Sequence, residues 1–277
     1  MIYASDLDQT LIYSQPPERA EHLGDRIMVA ELIDGKVRSY MSSSTYQRLQ
    51  ELMNELIFIP VTTRTIAQYE RIHLISQILK PQYAVTSNGG NMLIDGKVDM
   101  EWRDLVRTRV SETSAPVEDV RQVMHSVLSQ DWVISSSWCD DLFYSHIVER
   151  DRMPVQEIAD LSNQLKDMGW RTSVQGRKVY IVPEAVSKGA AVAHLKQILD
   201  GRKVIASGDS LLDQSLLDIA DYAIAPGHGE LFRQEQITPS GIYRFTEESG
   251  IFAADDITTF VHSTHSEHRM LLIKEPS

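Results

Sequence analysis

Four short apolar runs in this chain stop abruptly at polar groups. Ile2-Tyr3-Ala4-Ser5 runs into Asp6-Leu7-Asp8-Gln9-Thr10, Ile57 to Val61 into Thr62-Thr63-Arg64, Tyr83 to Thr86 into Ser87-Asn88-Gly89-Gly90, and Lys203 to Ala206 into Ser207-Gly208-Asp209. Runs of this length suit strands buried on both faces. Stretches with helical character lie between them: from Ser43 or Ser44 to Leu56, Ile66 to Leu79 closed by Pro81, Ser187 to Leu199, and Asp213 to Ile219. Strands alternating with helices predict an α/β fold, a parallel sheet covered by helices on both faces. In open parallel sheets ligands bind beyond the carboxyl ends of the strands, so Asp6, Asp8, Thr62, Asn88 and Asp209 are expected to converge.

The middle of the chain has another rhythm. A helix over Val117 to Leu128 leads to strands over Trp132 to Ser137 and Leu142 to Val148, joined at Asp140-Asp141. A second helix, Pro154 to Met168, leads to strands over Trp170 to Val174 and Lys178 to Val182, joined at Gly176. Helix-strand-strand written twice predicts a smaller α+β domain, an antiparallel sheet backed by two helices. It interrupts the α/β core, giving a discontinuous core over 1–90 and 184–277 and an inserted domain over 91–183, with hinges expected at Gly89-Gly90 and near Pro183. Further expectations are a Pro-rich loop over Tyr13 to Gly24 and a hairpin over Ile27 to Met41 turning at Asp34-Gly35. A strand over Tyr222 to Ala225 and a helical tail from Glu248 to His265 complete the pattern.

Composition narrows the partners. Asp+Glu exceed Lys+Arg by 39 to 27, a net charge of −12, which argues against nucleic acid and anionic membrane. Cys139 is the one cysteine, no signal-peptide pattern opens the chain, and no apolar run approaches a membrane helix. The expected setting is the cytoplasm.

The chemistry follows from the residue types at the strand ends. Asp6 and Asp8 crowd one strand tip, which is costly unless a cation neutralises them or one carboxylate takes a proton. Asp6, Asp8 and Asp209 are hard oxygen donors with no His/Cys cluster beside them, which favours Mg²⁺ over zinc. Lys188, opening a helix at Ser187-Lys188-Gly189, and the Thr62 hydroxyl can meet phosphate oxygens. A carboxylate beside a metal and a lysine can attack phosphorus.

In order and in type, Asp6-Leu7-Asp8-Gln9-Thr10, Thr62, Lys188-Gly189 and Gly208-Asp209-Ser210-Leu211-Leu212-Asp213 resemble the four motifs of the haloacid dehalogenase superfamily of phosphatases. The inserted domain resembles the large cap of its Cof-type and sucrose-phosphatase-like branch. The resemblance implies a Rossmann-like core and a Mg²⁺-dependent phosphomonoester hydrolase acting on a small phosphorylated metabolite, a phosphosugar or phosphoglycerate-like compound, through an aspartyl-phosphate. It makes Asp6 the nucleophile and a metal ligand, and Asp8 the acid and base whose carbonyl also binds the metal. Thr62 and Lys188 become phosphoryl-binding residues and Asp209 a metal ligand, with Asp213 either binding the metal through water or anchoring Lys188. Gln9 and Thr63 stand where related sequences often have Gly, and the segment Tyr13 to Met41 is long for the usual flap.

Other residues carry weaker signals. Arg64 is open between a substrate contact and a charge solvating its loop, and Asn88 is a substrate-side candidate. In the inserted domain Trp138, Tyr144, Arg177 and Lys178 are specificity candidates against a background expectation of sheet packing and solvated turns. His262, His265 and His268 read as one exposed stripe of a terminal helix, Gly227-His228-Gly229 as a tight turn into a helix, and Cys139 as an inert thiol. A phosphosugar mutase and a non-catalytic phosphometabolite sensor remain alternative functions; release of inorganic phosphate separates the first, and turnover the second.

Overall fold

The computed structural model describes residues 1–14, 24–238 and 241–274. The chain divides into two compact units, one formed by Met1–Val98 with Lys188–Ser277 and the other by Asp99–Ser187.

The first unit opens with β1 (Ile2–Ser5). A hairpin follows, β2 (Ile27–Ile33) and β3 (Lys36–Ser42), and Asp34 and Gly35 turn it with φ of 51° and 72°. Positive φ at both central residues matches the twist of the paired strands, which is why an Asp-Gly pair stands there. The Ser42 hydroxyl accepts from Thr45 N and caps α1 (Ser43–Leu52). Next come β4 (Ile57–Pro60) and α2 (Ile66–Glu70), entered through a reciprocal Thr65/Gln68 capping box. The expected single helix to Leu79 is instead α2 plus a separate π-turn over Leu74–Leu79, ended by Lys80 in the left-handed region before Pro81. β5 (Tyr83–Thr86) closes the expected part. A short meander follows, β6 (Asn91–Ile94) and β7 (Lys97–Val98), turning at Asp95-Gly96, and it belongs to this unit.

The second unit contains α3 (Met100–Thr113), α4 (Val117–His125), β8 (Val133–Cys139), β9 (Phe143–Val148), α5 (Val155–Asp167), β10 (Trp170–Gln175) and β11 (Lys178–Pro183). Its four strands are antiparallel in the order β10-β11-β9-β8. Val120 and Met124 of α4 and Ile158, Leu161 and Leu165 of α5 pack on Tyr144, Val148, Val179 and Ile181 from the sheet. That is the doubled helix-strand-strand pattern. Helix α3, capped by Asp99, is not foreshadowed by the sequence pattern: it buries only Trp102 and Val106, so its apolar stripe is too thin to stand out.

The chain returns to the first unit with α6 (Lys188–Ile198), β12 (Val204–Ser207), α7 (Gln214–Asp218), β13 (Tyr222–Ala225), α8 (Glu230–Ile237), β14 (Arg244–Phe245) and α9 (Ala253–Lys274). The sheet is parallel in the order β14-β13-β12-β1-β4. A parallel bridge between Val61 and Val85 brings β5 alongside β4. Tyr3, Phe58 and Ile205 pack with Leu49 of α1 and Ile257 and Val261 of α9, while the alternate residues Ile2, Ala4, Ile59 and Ala206 are equally buried on the other face. Strand alternation between two covered faces explains why these strands are apolar throughout.

Two boundaries differ from expectation. The inserted unit spans 99–187 rather than 91–183, because the β6–β7 meander pairs with β5. Gly89 and Gly90 therefore lie inside the first unit, and Pro183 lies inside the second. The segment 15–23, most of the expected Pro-rich loop, falls outside the described residues.

Candidate active site

β1, β4, β5 and β12 all end on one edge of the core, and their polar termini meet there. The Asp6 amide donates to Ser207 O at 2.9 Å, tying the ends of β1 and β12 together. The Asn88 amide donates to Thr62 O at 3.0 Å and the Ser87 amide to Arg64 O at 2.7 Å, which ties β4 to β5. Ser87 and Asn88 need φ of 54° and 57° for this, so the chain turns back through two left-handed residues.

Lys188 is the centre of the charge arrangement. It is 1% exposed, and its ammonium donates to Asp6 Oδ1 at 2.6 Å and to Asp213 Oδ1 at 2.5 Å. Burial alone would lower its pKa, but Asp213 and Asp6 outweigh burial and hold it above the usual lysine range. The other oxygen of Asp6 accepts from Thr10 Oγ1 at 3.2 Å. Asp213 Oδ2 accepts from the amides of Asp209 and Ser210 and from Ser210 Oγ at 2.8 Å. Both oxygens of Asp213 are thus engaged by protein groups.

Three carboxylates share this one lysine. An oxygen from each of Asp6, Asp209 and Asp213 lies within 4.8 Å of the others. Burial, then the charge of Asp213, pushes Asp6 up to about 7, with Lys188 opposing; burial, Asp213 and Asp6 raise Asp209 well above the usual carboxylate range. Such a cluster stores repulsion that a divalent cation would relieve, and its all-oxygen donor set suits a hard ion.

Thr62 is fully buried, and its hydroxyl accepts from the Arg64 amide at 3.1 Å. Arg64 is held by two acids. Its guanidinium donates from Nε and Nη2 to the two oxygens of Asp8, both at 2.7 Å, and from Nη1 to Glu31 at 2.7 Å. Burial disfavours its charge, but Asp8 and Glu31 more than compensate. Asn88 is buried at the turn after β5, beside the site backbone.

Small-residue contacts hold the loops close. Gly229 lies against Asp209: a methyl group there would stand 2.5 Å from Asp209 O and 2.9 Å from its Cβ. Gly229→Ala is expected to displace Asp209 and to weaken binding of a divalent cation at the Asp6–Asp209–Asp213 cluster by about tenfold or more. Calorimetric titration of the variant and the wild type with a divalent cation checks it. Gln9 keeps a φ of 63°, the conformation glycine would take most easily, and His228 Nε2 stands 3.2 Å from its carbonyl. The Gly250 amide donates to His228 Nδ1, so Nε2 carries the proton and donates to Gln9 O. The turn at Gly227-His228-Gly229 does lead into α8, but the role of His228 at the Gln9 loop, like that of Glu31, has no clear mark in the sequence. An acid inside an apolar strand is the one available sign of Glu31.

The candidates of the inserted domain belong to the second unit. Arg177 and Lys178 are exposed at the β10–β11 turn, and Trp138 packs on the buried Tyr144 with ring centroids 4.6 Å apart. Cys139 is buried, its thiol pushed up to about 11 by burial and then Asp140, as suits an inert thiol. The histidines of α9 are not one exposed stripe: His262 is exposed, but His265 is buried with Nε2 3.3 Å from Glu55.

A family model, Sucrose-6F-phosphate phosphohydrolase, matches residues 1–228. The chain belongs to that family. It is a phosphatase of the haloacid dehalogenase superfamily. Solved structures with the same fold include the sucrose-phosphatase of Synechocystis sp. PCC6803 in complex with sucrose and phosphate, with TM-score 0.69, 16% identity, and coverage of 95% of this chain and 97% of that one. The subclass IIB sugar phosphatase BT4131 has TM-score 0.61 and 12% identity over 95% of this chain and 99% of that one. BT1666 from Bacteroides thetaiotaomicron has TM-score 0.58 and 14% identity over 95% and 94%. A sequence comparison with curated proteins found no match. Among the described residues no helix is long and apolar enough to cross a membrane.

Proposed function

We propose that the enzyme is a Mg²⁺-dependent hydrolase of a phosphosugar, working through a phosphoryl group carried on Asp6. The observation that carries this reading is the pair of roles open to the two aspartates: Asp6 is buried on Lys188, and Asp8 is partly exposed on Arg64. The family and the sugar phosphatases that share the fold support a sugar as the alcohol part, and sucrose 6F-phosphate is the first substrate to test. The setting we propose is the cytoplasm.

An ionised oxygen of Asp6 attacks phosphorus as the P–O bond to the sugar breaks. The Asp8 carboxyl gives its proton to the departing oxygen, and the sugar leaves as a neutral alcohol. In the second half, Asp8 takes a proton from water as that water's oxygen bonds to phosphorus and the bond to Asp6 breaks. Inorganic phosphate leaves, and both aspartates return to their starting forms. Lys188 lowers the cost of charge on Asp6, and the Thr62 hydroxyl and Lys188 are placed to hold phosphoryl oxygens. Asp6 and Asp209, with the Asp8 carbonyl, would hold Mg²⁺, and the ion would supply charge stabilisation for the transferring phosphoryl group. Asp213 serves best as the anchor of Lys188: its Oδ1 holds the ammonium, and its Oδ2 already accepts from three donors of Asp209 and Ser210.

Stripping divalent ions with EDTA is expected to reduce phosphate release from sucrose 6F-phosphate to background, and added Mg²⁺ to restore it. Full activity in EDTA would overturn the metal requirement. Turnover of other phosphosugars but not of sucrose 6F-phosphate would redirect the substrate while leaving the chemistry standing.

A further inference from the structure

The hairpin of β2 and β3 carries a buried acid that the mechanism above does not use. The register of this hairpin shifts on both sides of Glu31, where Val29 pairs with Tyr40, Glu31 with Ser39 and Leu32 with Val37. In a regular strand neighbouring side chains point to opposite faces, yet Ala30 and Glu31 are buried together, at 0% and 3% exposure. A bulge re-aims a side chain, and here it turns a carboxylate inward.

What that carboxylate meets is the guanidinium of Arg64. Glu31 Oε2 accepts from Arg64 Nη1 at 2.7 Å, and Glu31 Oε1 accepts from Arg71 Nε at 3.4 Å. Arg64 spends its remaining edge on both oxygens of Asp8. Two acids and two guanidiniums alternate along this chain of contacts. A planar guanidinium held at one edge by Glu31 presents its other edge at a set angle, and Asp8 is oriented by that edge. The hydrogen bonds of Arg71 and Glu31 lead through Arg64 to Asp8.

We propose that Glu31 is a positioning residue for the reaction, acting through Arg64 to set where the Asp8 carboxyl stands when it gives up its proton. The inference rests on the phosphatase reading given above. It makes the β2–β3 hairpin part of the reaction apparatus, with Arg71 as an outer support. Leaving groups differ in their need for Asp8. A sugar alkoxide cannot depart without a proton, whereas a p-nitrophenolate can.

The test compares kcat for a phosphosugar with kcat for p-nitrophenyl phosphate in wild type, Glu31→Gln and Arg71→Gln. Glu31→Gln keeps the shape and removes the charge. It is expected to lower phosphosugar kcat by on the order of tenfold or more, the scale of a modest misplacement of a reacting group, and p-nitrophenyl phosphate kcat by far less. Glu31→Asp, which keeps the charge, should recover part of the loss. Arg71→Gln, at a half-exposed position, should shift the ratio in the same direction by less, and it carries the test should Glu31→Gln not fold. Equal loss on both substrates, or no loss on either, overturns the proposal and leaves Glu31 a structural ion-pair partner. Wild-type enzyme that releases no phosphate from any ester overturns the phosphatase reading itself, and this inference falls with it; that outcome is visible before any variant is made.

Discussion

Asp6→Asn is expected to remove turnover altogether, by more than about 10⁴-fold, and at the same time to stabilise the metal-free protein. The first effect follows from the amide, which has no anionic oxygen with which to attack phosphorus. The second follows from the electrostatics. Burial and the charge of Asp213 raise Asp6 from the ordinary 3.8 to about 7. A raised carboxyl favours folding below its unfolded pKa, and that contribution is lost as pH climbs through the folded value. Wild type therefore loses stability from about pH 4 upward and has lost all of this contribution above about pH 7. Asparagine cannot ionise and escapes the loss. In EDTA at pH 8 the variant should melt higher than wild type, and the gap should narrow toward pH 4. Phosphate release and thermal melts at the two pH values check both halves. A variant that still turns over would sink Asp6 as nucleophile; one that melts lower at pH 8 would show that Lys188 more than offsets the crowding.

This trade, stability given up for a reactive carboxylate, is typical of sites that oppose the fold around them. It also explains why the site is readable from the chain. Polar residues at the ends of buried strands violate the pattern of the strands themselves, so Asp6, Thr62, Asn88 and Asp209 stand out in the sequence alone. Lys188 is fully buried, but in the sequence it has the form of an ordinary helix-start lysine, and only its place in an ordered set of motifs marks it. Arg64 is ambiguous there because its partners, Asp8 and Glu31, lie 56 and 33 residues away along the chain. Long-range pairing leaves no local trace. The parallel core and the doubled helix-strand-strand unit are legible from periodicity, whereas the β6–β7 meander is not, since its strands of four and two residues are too short to show one. The same brevity moves the domain boundary from residue 90 to Val98. Helix α3 is hidden for the opposite reason: it is long, but it buries so little that period and composition both read as solvent-exposed.

Lys188→Met tests whether the buried triad of Asp6, Lys188 and Asp213 acts as one unit. Methionine fills similar space without charge, so the substitution leaves two buried carboxylates facing each other with no cation between them. Removing one partner of a buried ion pair costs about 3–5 kcal/mol, because the remaining charge is left uncompensated. The variant should lose activity and, in EDTA, melt roughly 5–15 °C below wild type, with added Mg²⁺ recovering part of the difference. Asp213→Asn should also be destabilising when made alone. If Asp213 serves as the anchor of Lys188, the two changes share one interaction, and the double variant should melt close to Lys188→Met rather than at the sum of the two losses. Additive losses would show that Asp213 acts independently of the lysine, and the alternative role at the metal, through water, would then be the better account. The Mg²⁺ dependence supplies the second discriminator. An anchor should leave the half-saturating Mg²⁺ concentration of Asp213→Asn near that of wild type while kcat falls, whereas a water-mediated ligand should raise that concentration directly. The three donors on Asp213 Oδ2, with the Lys188 ammonium on Oδ1, favour the first outcome.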